Sequence, residues 1–112
     1  MSFIAQFIQA GKSVDYTPAV AVDAGDVVVQ GELVGVATRD IAADALGALA
    51  VEGVFDVDKD TGSGTAITAG ADIYWDSGNE VATTTVGSNK YMGKAVEAAD
   101  DDDEKVRVRL DQ

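Results

Sequence analysis

The chain has 112 residues, with 20 acidic side chains against 8 basic ones, a formal net charge of −12, and neither histidine nor cysteine. These counts exclude thiol and imidazole catalysis, disulfides and Cys or His metal sites, and leave enough chain for one modest core. So acidic a surface also repels phosphate backbones and anionic membranes, so neither nucleic acid nor membrane is an expected partner.

The first 19 residues read as an arm, and residues 20–112 as a single β domain. In the arm, Phe3, Ile4, Phe7 and Ile8 recur at a spacing that predicts one face of a short helix. Ser13-Val14-Asp15-Tyr16-Thr17 then reads as a brief extended segment ending at Pro18. The N-terminus lacks a basic stretch followed by an unbroken apolar region, and no apolar run approaches the ~20 residues that span a bilayer. A soluble chain needing neither export nor anchoring is therefore expected. From residue 20 onward, short runs of Val, Leu and Ile alternate with Gly25, Gly31, Gly35, Gly47 and Gly53, a pattern of short strands and tight turns. Only Ile41 to Ala50, rich in Ala, suggests a helical turn. The segment Lys105 to Leu110 alternates strictly, placing Val106, Val108 and Leu110 inward and Lys105, Arg107 and Arg109 outward. The fold class is all-β, a small β-barrel or β-sandwich.

The sequence also echoes itself. Val22-Asp23-Ala24-Gly25-Asp26-Val27 matches Ile67-Thr68-Ala69-Gly70-Ala71-Asp72-Ile73, displaced from Gly25 to Gly70. Val34-Gly35-Val36-Ala37 matches Met92-Gly93-Lys94-Ala95, displaced from Gly35 to Gly93. The two displacements differ by the length of Ser77 to Asn89, a polar stretch that reads as a hairpin inserted into the second copy. Two related β units are predicted, each running through a turn with Ala and Asp into a further strand.

Four features bear on chemistry. Asp56-Val57-Asp58-Lys59-Asp60-Thr61-Gly62 opens like a calcium loop, but positions six and twelve hold Thr61 and Ile67 in place of Gly and an acid, and Lys59 sits among the ligands. It reads as an acidic turn, and no metal or other cofactor is expected. Asp100 to Glu104 is a run of five acids that repel one another, predicting a solvated hairpin loop that aids solubility. Ala24 to Leu33 with Lys59 resembles the half-motif and modified lysine of lipoyl-type carrier domains, although the spacing is long for adjacent strands. Tyr74 and Trp75 could stack on a sugar, which keeps a small carbohydrate-binding module as the other alternative, while a strand with one Trp more often buries it. Nothing singles out a catalytic pair among the carboxylates, so the chain is not read as an enzyme.

Taken together, Phe7 to Lys12, Asp15 to Pro18, Ala24 to Val29, Leu33 to Ala37, Gly47 to Phe55, Ile67 to Gly70, Ile73 to Asp76, Gly93 to Ala95 and Val106 to Leu110 resemble the small capsid decoration (cement) proteins of tailed phages. The likeness covers nearly the whole chain in order. It implies a structural protein on the outside of a phage head, made in the bacterial cytoplasm. Such a protein would form a trimer, bind the major capsid protein and stabilise the expanded shell. It also implies that Phe3, Ile4, Phe7, Ile8 and Tyr16 contact capsid or a neighbouring subunit, with Tyr74 and Trp75 as further interface candidates.

Overall fold

Valine-rich runs set between glycines fold into nine short strands in a computed structural model that describes residues 4–112. Phe3 lies outside the described residues. The strands are β1 (Ser13–Tyr16), β2 (Val27–Gln30), β3 (Leu33–Ala37), β4 (Gly47–Ala50), β5 (Glu52–Asp58), β6 (Asp72–Asp76), β7 (Val81–Thr83), β8 (Lys90–Ala95) and β9 (Lys105–Asp111). All pair antiparallel in two sheets, ordered β1-β4-β3-β2 and β5-β9-β8-β6-β7. Among the described residues there is no helix, so the all-β class holds.

Of the two predicted architectures the barrel is not formed. Each sheet keeps its own edges, β1 and β2 in the first, β5 and β7 in the second. A single bridge from Lys59 to Ala82 draws the second sheet's edges together, and pairing goes no further. The main core lies where β3 packs over the second sheet: Val34 and Val36 are buried with Ile73, Trp75, Met92, Val106, Val108 and Leu110. The outward residues of β9 are exposed and the inward ones buried, as its alternation predicts. The other face of the first sheet holds a smaller cluster of Ala37, Ile41 and Leu49, flanked by Val14, Tyr16, Val22 and Val28. Apolar residues on both faces explain why Val27-Val28-Val29 runs without alternation. The Gln112 side chain joins the sheets: its Oε1 accepts from Val34 N–H at 2.9 Å, and its Nε2 donates to Met92 O at 2.9 Å.

The echo in the sequence is a repeat in the backbone. Strands β1, β4, β3, β2 of the first sheet correspond in order to β5, β9, β8, β6 of the second. Val22 and Ile41 exchange hydrogen bonds of 2.8 and 2.7 Å, and their counterparts Ile67 and Ala99 exchange bonds of 2.8 and 2.9 Å. Gly25 N–H donates to Ala37 O at 2.6 Å, and Gly70 N–H to Ala95 O at 2.7 Å. Both glycines need positive φ, +92° and +84°, which few side chains tolerate. The register is shared too: Val28 lies opposite Gly35 as Ile73 lies opposite Gly93. In each unit three antiparallel strands lie side by side and the unit's first strand returns beside the last, a Greek key that the second unit interrupts with β7 between β6 and β8. The extra strand β7 lies inside Ser77 to Asn89 and forms a hairpin with β6, as the difference in displacement predicts.

Two local expectations differ from the structure. Residues 4–10 form no helix: a segment this short does not recover the entropy of helix nucleation without a surface to pack on. Ile41 to Ala50 contributes a turn, with Ala45 N–H bonded to Ala42 O at 3.1 Å, and then strand β4. Pairing of Gly47 to Ala50 with β1 and β3 overrides the helical preference of alanine there.

Gly93 lies so close to β9 that an added Cβ would collide with the Arg109 carbonyl, a backbone atom with no room to yield. Gly93→Ala is expected to lose about 3 kcal/mol or more by urea unfolding. Gly11→Ala, which meets nothing within 4 Å, should stay within about 0.5 kcal/mol of the parent.

Candidate functional site

The arm residues do not share one environment. Ile4 is fully exposed, Phe7 is 83% and Ile8 79% exposed, so three large apolar side chains face water. Tyr16 sits on β1, half-buried against the smaller cluster. The stretch assigned to the arm therefore includes a strand hydrogen-bonded to β4 along its whole length. Residues 4–12 precede that strand, fastened at their end where Val51 N–H donates to Lys12 O at 3.0 Å. Solitary exposed apolar residues are ordinary, but three within five positions on a segment without strand pairing form a surface suited to a partner.

The two aromatic candidates on β6 point to opposite faces. Trp75 is 7% exposed and belongs to the main core, so its ring is not offered to a sugar or a protein. Tyr74 is half-buried and meets Tyr91 edge-on, with ring centroids 5.9 Å apart and planes at 70°. The structure thus gathers Ile4, Phe7 and Ile8 on one segment and separates them from Tyr74 and Trp75.

Beside the exposed turn 42–46, Asp15, Arg39, Ile41, Leu46 and Ala48 line an open groove of about 480 Å³. Leu46 is 71% exposed there. Sequence reasoning passed over Leu46 because it stands in an alanine-rich stretch suggestive of a helix. A second groove of about 260 Å³ lies between the sheets, lined by Asp26, Phe55, Asp56, Asp58, Trp75, Glu80 and Lys105. Two of its acids are held in ion pairs: Arg107 Nε donates to Asp56 Oδ1 at 2.9 Å, and Lys105 pairs with Asp58. The Arg107 hydrogen bond holds the Asp56 carboxyl below its ordinary 3.8. A carboxylate so held is an acceptor and not a proton donor near neutrality.

The Asp56 and Asp58 carboxylates thus belong to strand β5 and its cross-strand ion pairs, not to a cation-binding loop. Among the described residues no cluster of three or more metal-ligating side chains is positioned to hold an ion.

The acidic run is more ordered than a solvated loop. Lys59, only 4% exposed, extends beneath it. Its Nζ lies 2.6 Å from Asp60 O, 3.3 Å from Asp103 O, 3.4 Å from Asp101 O and 3.4 Å from Thr65 Oγ1. Asp101 Oδ1 in turn accepts from Thr65 N–H at 3.1 Å and Ala66 N–H at 2.8 Å, and Asp103 Oδ2 accepts from Asp100 N–H at 2.8 Å. An internal ammonium thus gathers the carbonyls while the carboxylates of Asp101 and Asp103 cap backbone donors, leaving those of Asp100, Asp102 and Glu104 to solvent. A carrier domain presents its lysine at an open hairpin, whereas this one is buried and spoken for.

Compared with known proteins, the chain matches, over residues 8–110, a family model described as phage cement protein. None of the curated proteins and none of the solved structures matches it.

Lys59→Met keeps the length of the side chain and removes its donors. It is expected to cost about 2–3 kcal/mol, because buried carbonyls lose their partner, and to speed hydrogen exchange at Thr65 and Ala66. Unchanged exchange there would show that the turn does not depend on the ammonium. For Asp56 the folded pKa is lowered, so its contribution to stability is present above 3.8 and is lost as pH falls through the folded value. A carboxyl NMR titration should place Asp56 below 3.8 in the parent and return it towards 3.8 in Arg107→Ala.

Proposed function

The chain belongs to the phage cement protein family, whose role is structural and at the phage capsid, and from that premise we propose that it binds the outer surface of the expanded shell as a trimer and ties adjacent capsid subunits together. The observation that carries this reading is the arm, where Ile4, Phe7 and Ile8 stand exposed on a segment that its own chain does not cover. Burying a large apolar side chain is worth about 1.5–3 kcal/mol, so three of them provide a substantial driving force.

The mechanism is mass action. A protein that binds the expanded shell and not its precursor or its separated subunits stabilises the expanded form by its binding free energy. Trimers at three-fold or quasi-three-fold positions would engage several subunits at once, so modest contacts multiply through effective concentration. Phe3 extends the apolar arm in sequence, and Tyr16 fixes its base through the β1–β4 pairing. Trp75 serves this function from within, as part of the rigid body, and Tyr74 flanks it at the surface. The major capsid protein is the assigned partner, reached after synthesis in the bacterial cytoplasm, and neither nucleic acid nor membrane suits a chain of charge −12.

Deleting residues 1–17 would remove strand β1 along with the arm, so point variants are the cleaner probe. The double variant Phe7→Ser, Ile8→Ser should remain folded and bind undecorated expanded capsids at least about tenfold more weakly. Wild-type binding is expected to persist at about 1 M salt, since screening weakens exposed charge pairs and leaves apolar burial intact. Parent-like cosedimentation of the double variant would sink the arm assignment, and a solution mass other than three chains would sink the trimer.

A further inference from the structure

The internal repeat gives each edge of the first sheet a counterpart in the second, and the two sheets finish their edges differently. In the second sheet the outer edge of β6 is covered by β7, and the bridge from Lys59 to Ala82 ties β7 to β5. In the first sheet the corresponding strands, β2 and β1, have no outer neighbour among the described residues. Nor does β2 carry the features that guard an exposed edge. Val27-Val28-Val29-Gln30 has no charge and no proline, and its register with β3 is unbroken.

Hydrogen bonding fixes which groups each edge offers. Gly25 N–H donates to Ala37 O at 2.6 Å and Ala37 N–H to Asp26 O at 2.9 Å. Antiparallel pairs alternate from there, so Val28 bonds inward to Gly35 while Val27 and Val29 turn N–H and C=O outward. At the other edge Val51 N–H donates to Lys12 O at 3.0 Å, so Val14 and Tyr16 bond inward to β4 while Ser13 and Asp15 turn outward. The Ser13 carbonyl meets only the Gln9 side chain, at a long 3.4 Å.

The two edges run in opposite directions because the sheet has four antiparallel strands. One copy's β1 can therefore continue another's β2 as a further antiparallel strand. The register that uses all four outward residues pairs Ser13 with Val29 and Asp15 with Val27. It also sets Val14 opposite Val28, and both already face the smaller cluster on the same side of the sheet. Lys12 falls beside Gln30, next to Glu32, and no two carboxylates lie opposite one another, since Asp26 faces Tyr16.

Resting on the trimer proposed above, we infer that its subunit contact is this pair of edges: β1 of each copy pairs antiparallel with β2 of the next, and the three first sheets become one. A contact between different edges is head-to-tail and closes into a ring, whereas β2 on β2 would stop at two chains. A capsid strand is a poorer occupant, since one added at β2 would leave β1 open. The arm leaves the pairing at Lys12, runs past the β2–β3 turn of the neighbour and stays available to the shell.

The test uses the full chain, which has no cysteine of its own. In the double variant Val14→Cys, Val28→Cys the two Cα atoms should lie about 4.5 Å apart between copies, within reach of a disulfide. Within one chain the edges are three strand spacings, roughly 14 Å, apart, which no disulfide spans. Mild oxidation is therefore expected to give a covalent three-chain species on a non-reducing gel. Ser13→Pro removes one outward N–H at an exposed position of an edge strand. It should raise the dissociation constant of the assembly at least about tenfold, measured by solution mass, with the parent's circular dichroism. Cross-linking that stops at two chains, no cross-linking in a trimeric parent, or parent-like assembly of Ser13→Pro each overturns the edge contact and leaves the trimer standing. A monomeric parent overturns both. A parent that assembles and cross-links as expected yet does not bind capsids supports the contact and overturns the capsid role alone.

Discussion

The packing of β3 against the second sheet is the contact on which the rest of the molecule depends. A four-stranded sheet built from valine, alanine and glycine has too little apolar bulk to stand alone. Val34 and Val36 supply the first sheet's share of a common core, and Ile73, Trp75, Met92, Val108 and Leu110 supply the second's. Gln112 then satisfies the Val34 amide from the end of β9 and donates to the Met92 carbonyl, closing the seam with hydrogen bonds where side chains give out. Within each sheet a glycine in the matching strand, Gly35 in β3 and Gly93 in β8, lies close against the neighbouring strand, β4 or β9, where an added Cβ would collide.

Because the two sheets are copies of one unit, each feature of one has a counterpart that shows what the fold needs and what it leaves free. The positive-φ glycines, the paired bridges and the strand register recur, so they belong to folding. The turns that follow β3 and β8 keep their backbone hydrogen bonds and exchange their chemistry, so they are free to serve other ends. Five adjacent acids would ordinarily oppose a tight turn. Here the turn survives because a buried ammonium and two capping carboxylates replace the interactions that repulsion removes. That arrangement confines the strongest negative charge to one end of one unit.

Much of this was legible in the sequence because it is local or periodic. The alternation of Val106, Val108 and Leu110 predicts the buried face of β9, and the displaced Ala-Gly and Gly-x-Ala words predict both the duplication and the inserted hairpin at β7. What was not legible depends on distant partners. Lys59 reads as an exposed lysine among acids, and only the approach of residues 101–103 makes it a buried support. Phe7 and Ile8 carry a helical spacing, yet nothing packs against them, and spacing without a surface does not make a helix. Ser13 to Tyr16 reads as part of an arm because its strand partner, Gly47 to Ala50, is itself disguised by alanine. Leu46 was missed for the same reason, and the comparison with Glu104 at the equivalent position would have marked it.

The charge of −12 sets the terms on which such a chain can attach to anything. Attraction by net charge is unavailable unless the partner is basic, so attachment falls to apolar groups, and the exposed ones are few. Three side chains in the arm amount to about 4.5–9 kcal/mol of gross burial, from which the cost of ordering a free segment must be subtracted. In the proposed role a single arm would therefore bind weakly, and repetition would resolve the conflict: on a shell with many equivalent positions, several weak contacts would give residence without stickiness, and the acidic end would keep decorated particles apart. The repeat within the chain fits the same logic, since one unit carries −6 at its turn 97–104 while the other carries only −1 at 39–46.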